Sequence, residues 1–208
     1  MKKILTAIVA ILMAAPTFAQ YSSGGFSLDE ENLYYGVRLG MTSATLSGDL
    51  NGLGSKVGLT MAGVIGLRAS NTAPVFLESG LYYTERGAKK DKVSISYNNL
   101  EIPLLVKYGL KVSDDIALLP FLGPYFSYAI SGKYKSTAKG AEFEYGAFEE
   151  KDWAALKRAN MGIKLGCGAE YSNLYLELGY QFGITNVCKA SNSSARSNAF
   201  FINFGVNF

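Results

Sequence analysis

Residues 162–183 read GIKLGCGAEYSNLYLELGYQFG. Ile163, Leu165, Cys167, Ala169 and Tyr171 alternate with Gly162, Lys164, Gly166, Gly168 and Glu170. Beyond Ser172-Asn173 the pattern resumes. Leu174, Leu176, Leu178, Tyr180 and Phe182 alternate with Tyr175, Glu177, Gly179, Gln181 and Gly183. A two-residue period gives a strand two unlike faces, and two such runs across a two-residue break read as a β-hairpin. One face of this hairpin is oily. The other is glycine with isolated charges.

The same alternation recurs on both sides of the hairpin. Tyr35, Val37, Leu39 and Met41 oppose Gly36, Arg38, Gly40 and Thr42, and Met61, Ile65 and Leu67 oppose Ala62, Val64, Gly66 and Arg68. Leu77, Leu81 and Tyr83 oppose Glu78, Gly80, Tyr82 and Thr84, and Leu100, Ile102, Leu104, Val106 and Tyr108 oppose Glu101, Pro103, Lys107 and Gly109. The last run sets Phe200, Ile202, Phe204, Val206 and Phe208 against Phe201, Asn203, Gly205 and Asn207. A run from about residue 117 to 131 holds Pro120 and Pro124. Because proline removes a ladder donor, a distorted or bulged strand is expected there.

Eight runs result. The segments between them alternate in length: 43–60, 85–96, 132–159 and 185–198 are long and polar, whereas 70–74, 111–116 and 172–173 are short. Short turns at one end and long loops at the other are the plan of an outer-membrane barrel. The expected fold is therefore all-β: an eight-stranded antiparallel up-and-down transmembrane β-barrel over residues 34–208.

A soluble barrel would turn its oily face inward around a ligand, and its outer face would be dense in Lys, Glu and Thr. The polar face here is mostly glycine with single charges, which suits a cramped interior where each charge needs a partner. Arg38, Arg68, Glu78, Glu101, Lys107, Lys164, Glu170 and Glu177 are the expected interior polar network, with Glu78 and Lys107 as a cross-strand pair. The other face carries aliphatic residues in mid-strand and Tyr or Phe toward the ends, as membrane girdles do. Eight strands leave room only for packed side chains.

The N-terminus supports export. Lys2 and Lys3 precede an apolar run, Ile4 to Ala15, and Thr17-Phe18-Ala19 offers small residues for cleavage. Residues 1–19 read as a signal peptide and 20–33 as a periplasmic N-terminal segment. No cysteine follows the leader, which argues against a lipoprotein. Without Lys2 and Lys3, 18 of the 20 basic side chains remain and nearly balance the 17 acidic ones. That leaves no charge case for nucleic acid.

Leu100 to Tyr108 (LEIPLLVKY) resembles the central signature of the PorT-like outer-membrane β-barrel family. GIKLGCGAEY at 162–171 and LYLELGYQFGITNV at 174–187 are similar to the sixth and seventh strands of the same family. The resemblance covers roughly residues 33–208. It implies an eight-stranded barrel in the bacterial outer membrane, and it implies neither an enzyme nor a ligand. The terminal FFINFGVNF resembles the signal by which the barrel-assembly machinery recognises its clients, with Phe208 as the last aromatic.

Chemistry is sparse. The chain contains no histidine, which removes a Ser-His-Asp arrangement and imidazole metal ligation. No catalytic, cofactor-binding or metal-binding residue is assigned. Gly52-Leu53-Gly54-Ser55-Lys56 lacks the spacing of a phosphate-binding loop and reads as a flexible surface loop. Arg86, Lys89, Lys90 and Lys92 form a basic patch in the second long segment. Its plain reading is a solvated loop, and its sharper reading is contact with lipopolysaccharide phosphates.

Glu149 to Asn160 (EEKDWAALKRAN) has the composition of a short loop helix, with Trp153 packing on the rim or meeting a protein partner. Cys167 and Cys188 should lie roughly 33 Å apart along the strands, too far to bridge. The functional expectation is a non-enzymatic outer-membrane barrel with a structural or surface-interaction role carried by its long extracellular loops. The alternatives are a narrow passive porin and an accessory barrel of a protein secretion system. Outer-membrane lipids, the assembly machinery and an unknown surface or secretion partner complete the expected contacts.

Overall fold

The computed structural model describes residues 33–48, 54–70, 72–90, 93–113, 115–138, 141–146, 148, 156–189 and 194–208. The expected leader and all of the expected periplasmic segment except Leu33, which opens β1, lie outside these residues, as do Lys92 and Trp153. The described strands are β1 (Leu33–Gly48), β2 (Gly54–Arg68), β3 (Val75–Lys90), β4 (Val93–Tyr108) and β5 (Leu110–Lys111). They continue with β6 (Ile116–Ala138), β7 (Ala141–Gly146), β8 (Ala159–Tyr171), β9 (Leu174–Gly183) and β10 (Ala195–Asn207).

Eight of these close a ring, β1-β2-β3-β4-β6-β8-β9-β10, in which every neighbour is antiparallel and β10 pairs back onto β1. Closure pairs every strand on both sides, which is what a strand-built membrane span requires. Phe208 seals the join: Tyr35 N–H donates to its carbonyl at 3.0 Å, and its own N–H donates to Tyr35 O at 2.7 Å. The two remaining strands are local. β5 pairs the start of β6, and β7 pairs the outer end of β6.

Alternation sets the faces as the sequence pattern requires. Leu39, Leu81, Ile102, Leu104, Leu122, Leu178 and Ile202 are exposed on the outside of the ring, while Arg38, Glu101, Lys107, Lys164 and Glu177 are buried within it. Tyr35, Tyr108 and Tyr171 lie outward at the short-turn end of the belt; Tyr128, Phe182 and Phe200 lie outward at the other. Above the belt the outward face turns polar at Ser43 on β1, Glu85 on β3 and Asn98 on β4, while Val57 of β2 and Ile130 of β6 stay apolar and exposed beside them.

Two sequence expectations need correction here. The segments 43–60 and 85–96 are mostly strand, not loop: β1 runs to Gly48, β2 begins at Gly54, and only residues 91–92 separate β3 from β4. Gly54-Ser55-Lys56 accordingly opens β2. The period of two persists beyond the membrane with its polarity reversed, because outward residues there meet water and inward ones pack on each other. Ser43, Thr45 and Ser47 face out while Ala44 and Leu46 are buried. The tail of the expected loop helix is also absent, since Leu156 bridges Cys188 and Ala159 opens β8.

The bulged strand expected over about 117–131 is present as part of β6, with its bulge away from the prolines. β6 runs through Pro120 and Pro124 with an unbroken register to β8, from Ile116↔Tyr171 to Tyr128↔Ala159. On the β4 side the pairing lapses between Pro103↔Tyr125 and Val106↔Leu122 and resumes without a shift. The bulge lies further along the strand, where Asn98 and Asn99 face Ser131 and Ala129 and leave Ile130 as the extra residue.

Candidate functional site

The barrel interior is a stack of ionic layers under an apolar cap. In the layer nearest the short turns, Glu78 is the shared acceptor. Lys107 Nζ lies 2.7 Å from Glu78 Oε2, Arg38 Nη2 lies 3.5 Å from it, and Tyr34 O–H donates to it at 2.7 Å. The Glu78–Lys107 pair expected from alternation is therefore formed. Arg38 Nη2 also donates to Asn207 Oδ1 at 2.6 Å, and Asn207 Nδ2 donates to Glu170 Oε1 at 2.7 Å. Tyr175 ties the layer from below: Lys107 donates to its hydroxyl at 2.8 Å, and the Arg38 guanidinium lies 4.1 Å from its ring centre.

Inward glycines make room for these rings. A side chain at Gly66 would meet the ring of Tyr34, and one at Gly168 would meet the ring of Tyr175. Small residues on the polar face are thus the counterparts of large ones on neighbouring strands.

In the middle layer Lys164 Nζ stands 3.5 Å from Glu177 Oε1, and Asn203 Nδ2 donates to the same oxygen at 2.7 Å. Lys164 also lies over the rings of Phe201 and Tyr82, at 4.2 and 4.3 Å. Above it, Arg86 Nη2 lies 2.6 Å from Glu101 Oε1 and hydrogen bonds Gln181. Thr84 and Gln181 Nε2 donate to the two Glu101 oxygens at 2.6 and 2.9 Å. Tyr97 and Ser197 hydroxyls meet at 2.7 Å.

Over this layer the interior becomes apolar. Leu46, Ala88, Ile95, Tyr97, Ala129, Leu156, Val187, Cys188 and Ala195 form one buried cluster. Two loop segments are pinned into the mouth to build it. Lys157 N–H donates to Val187 O at 2.7 Å, Val187 N–H to Ala195 O at 2.9 Å, and Ala129 N–H to Arg158 O at 2.8 Å. The Asn186 side chain accepts from the Cys188 and Ala195 amides, each at 3.0 Å. A cavity of about 10 Å³ remains between Asn99, Asn160, Ser197 and the cap. That is room for a single water molecule and for no organic ligand.

Of the residues expected inside, Arg38, Glu78, Glu101, Lys107, Lys164, Glu170 and Glu177 are brought together. Arg68 is not among them. It sits at the short-turn rim, where its Nε donates to Ser70 O at 2.9 Å. Arg86 is the opposite correction. Placed by sequence in a phosphate-contacting loop, it is buried against Glu101 and out of reach of any lipid. Its signal was parity, because 78, 80, 82, 84 and 86 share a face. Lys89 is exposed, Lys90 ends β3, and Lys92 lies outside the described residues. Both Cys167 and Cys188 are thiols.

The buried charges of the described residues are Arg38, Arg86, Lys107 and Lys164 against Glu78, Glu101, Glu170 and Glu177. An interior that balances its charges and fills its width with Tyr34, Tyr82, Phe121, Tyr125, Tyr175 and Phe201 is a packed core.

Comparison with solved structures places this architecture among small outer-membrane barrels. A major outer membrane protein from Thermus thermophilus aligns with a TM-score of 0.50 at 15% identity, over 86% of this chain and 100% of that one. Neisserial surface protein A (NspA) aligns with a TM-score of 0.49 at 18% identity, over 86% and 100%. OprG from Pseudomonas aeruginosa aligns with a TM-score of 0.47 at 11% identity, over 88% and 99%. At such identities the likeness is one of fold. No curated protein matches the chain. The family model described as "Outer membrane protein beta-barrel domain" matches residues 18–189, so the chain belongs to that family and is a protein of the bacterial outer membrane.

Proposed function

We propose that this protein is a non-enzymatic barrel with a closed lumen, acting in a structural or surface-interaction role through what it presents outside the cell. The observation that carries this reading is the plugged interior: layered ion pairs across the full width, roofed by the cluster around Leu46, Ile95 and Val187. Water and solutes have no continuous route through such a core, so the lumen is a stabilising element and the exposed surface is the working one. Strands β3, β4 and β6 carry that surface well beyond the membrane belt. The strand ending in Phe208 is, in this reading, the segment recognised by the barrel-assembly machinery.

Single-channel recording in planar bilayers tests the reading. The expected trace is silent at all voltages that the bilayer withstands, and a steady open level would establish the narrow passive porin instead. A secretion-accessory role draws support from the PorT-like block at Leu100–Tyr108, the segment from which β4 builds both its lipid face and the Glu101 and Lys107 sites. Co-purification of secretion subunits would favour that role. Intact secretion in a deletion strain would remove it.

A further inference from the structure

Seven of the eight joins in the ring connect strands that follow one another along the chain. The eighth is the seam between β1 and β10, paired from Gly36↔Asn207 to Gly48↔Ala195. A join between consecutive strands is held by its connecting backbone as well as by its ladder. The seam has the ladder alone. It is the line along which the ring can part while every other join stays made.

The interior charges divide along the same line. Among the described residues, Arg86–Glu101 and Lys107–Glu78 each join β3 to β4, and Lys164–Glu177 joins β8 to β9. All three pairs can form in an open sheet. Arg38 differs. From β1 its guanidinium reaches across the seam to two atoms of β10: Nη2 donates to Asn207 Oδ1 at 2.6 Å, and Nη1 donates to Val206 O at 3.3 Å. Arg38 and Asn207 stand 169 residues apart in the chain. The same guanidinium lies 3.5 Å from Glu78 of β3 and 4.1 Å from the ring centre of Tyr175 on β9. Asn207 extends the contact to β8, where its Nδ2 donates to Glu170 Oε1 at 2.7 Å.

Both seam strands make room for this side chain. In the register Arg38 faces Gly205, and Gly36 faces Asn207. A side chain at Gly36 would meet the guanidinium and the Asn207 amide, and one at Gly205 would meet the Arg38 stem. Arg38 and Asn207 are both buried. A buried guanidinium is tolerable only while its donors are matched. With the seam parted, β1 still carries Arg38 beside Glu78, but the Asn207 and Val206 acceptors are gone. Closing the seam and satisfying Arg38 are therefore one event. We propose that the β1–β10 seam is the line along which this barrel opens, and that Arg38, clasping Asn207 and Val206 O, is the latch that holds it shut. The latch rests on the closed ring and on no assumption about conduction or surface role.

Amide exchange of the full-length protein in lipid nanodiscs, resolved residue by residue by NMR, tests it. Tyr35 and Phe208 exchange both their N–H···O bonds across the seam. The alternation of an antiparallel ladder then sends the Val37 and Leu39 amides to β10, and the Gly36 and Gly40 amides to β2. Arg38→Lys keeps a charge beside Glu78 but lacks the fork that holds two acceptors. Asn207→Ala removes the contact from the other side. A lost hydrogen bond to a charged group corresponds to about a tenfold to hundredfold change in a local opening equilibrium. In each variant the Val37 and Leu39 amides are expected to exchange faster by roughly that factor, while Gly36 and Gly40 keep the wild-type rates. Asn203→Ala is the control: it lies on the same strand, but its amide donates to Glu177 of β9 and not across the seam. Equal quickening of both sets of amides overturns the latch, since the barrel would then be loosened throughout. Unchanged rates in both variants overturn it too, as does the same selective pattern in Asn203→Ala. Heat-modifiable mobility certifies that each variant is folded, and the two substitutions, approaching the contact from opposite strands, keep the test standing where one of them does not fold.

Discussion

Arg86 Nη2 and Glu101 Oε1 lie 2.6 Å apart, on strands β3 and β4, where the ionic interior meets the apolar cap. Both side chains are withdrawn from water. The carboxylate also accepts from Thr84 and Gln181, so the pair is held in a hydrogen-bonded frame and not left to its own attraction. Such framing decides whether a buried pair is tolerable, because desolvation of two charges otherwise offsets what they gain from each other.

Removing one member should therefore cost more than removing both. Arg86→Met leaves Glu101 charged and buried, and is expected to destabilise the folded barrel by about 3–5 kcal/mol. Adding Glu101→Gln to that variant should recover part of the loss. Urea titration of protein refolded into lipid vesicles, followed by heat-modifiable mobility, measures both. A double variant no more stable than Arg86→Met would show that the two side chains act independently.

Glu78 offers a sharper gradient. It receives Lys107, Arg38 and the Tyr34 hydroxyl, whereas Glu170 receives Asn207 Nδ2 as its hydrogen-bond donor. Glu78→Gln strands two cations and is expected to cost about 3–5 kcal/mol. Glu170→Gln exchanges one neutral-donor hydrogen bond for another and should cost about 1 kcal/mol. The same titration ranks them, and the reverse order would remove Glu78 as the hub of its layer.

Most of the barrel could be read from the sequence because membrane strands obey one rule throughout: an oily residue outward, a small or charged one inward. Lys164 and Glu177 show the rule on one hairpin, where parity alone puts both inside. What escaped was the place where the rule reverses. At Leu46, Ile95 and Ala195 the apolar residue is the inward one, and Ser47, Ser94 and Arg196 face out. A reader following the oily stripe sees polar residues in its place and infers a loop. Arg86 was lost at that boundary, while Arg68 was gained at the other, since parity gives the face of a residue but not its depth.

The level at which the outward face changes can be mapped by arginine substitution. Leu104, mid-belt on β4, is exposed to lipid, and Leu104→Arg is expected to cost about 2–4 kcal/mol. Asn98 stands above Leu100 on the same face, and Asn98→Arg should cost at most about 1 kcal/mol. Folding free energies in vesicles would give the profile. Equal costs at the two positions would mean that the belt does not end between them.

The cap should open without the barrel. Its lower neighbours are ion pairs on continuous strands, whereas the 156–158 and 186–188 segments are held in the mouth by a few hydrogen bonds and by packing on Leu46 and Ile95. Local opening draws on such weakly held units. Cys188 is buried in the cluster and reports on it, because a thiol shielded from water reacts only when exposed. In a Cys167→Ala background, which leaves Cys188 as the sole thiol, Leu46→Ala and Ile95→Ala each remove cap packing worth about 2–5 kcal/mol. If that energy is spent on local opening, maleimide labelling of Cys188 accelerates at least about thirtyfold while the barrel retains its heat-modifiable form. Leu39→Ala, on the lipid face, should leave the rate unchanged. Labelling that rises only as the folded band disappears would mean that cap and barrel unfold as one unit, and that the apolar cluster is continuous in stability with the ionic layers beneath it.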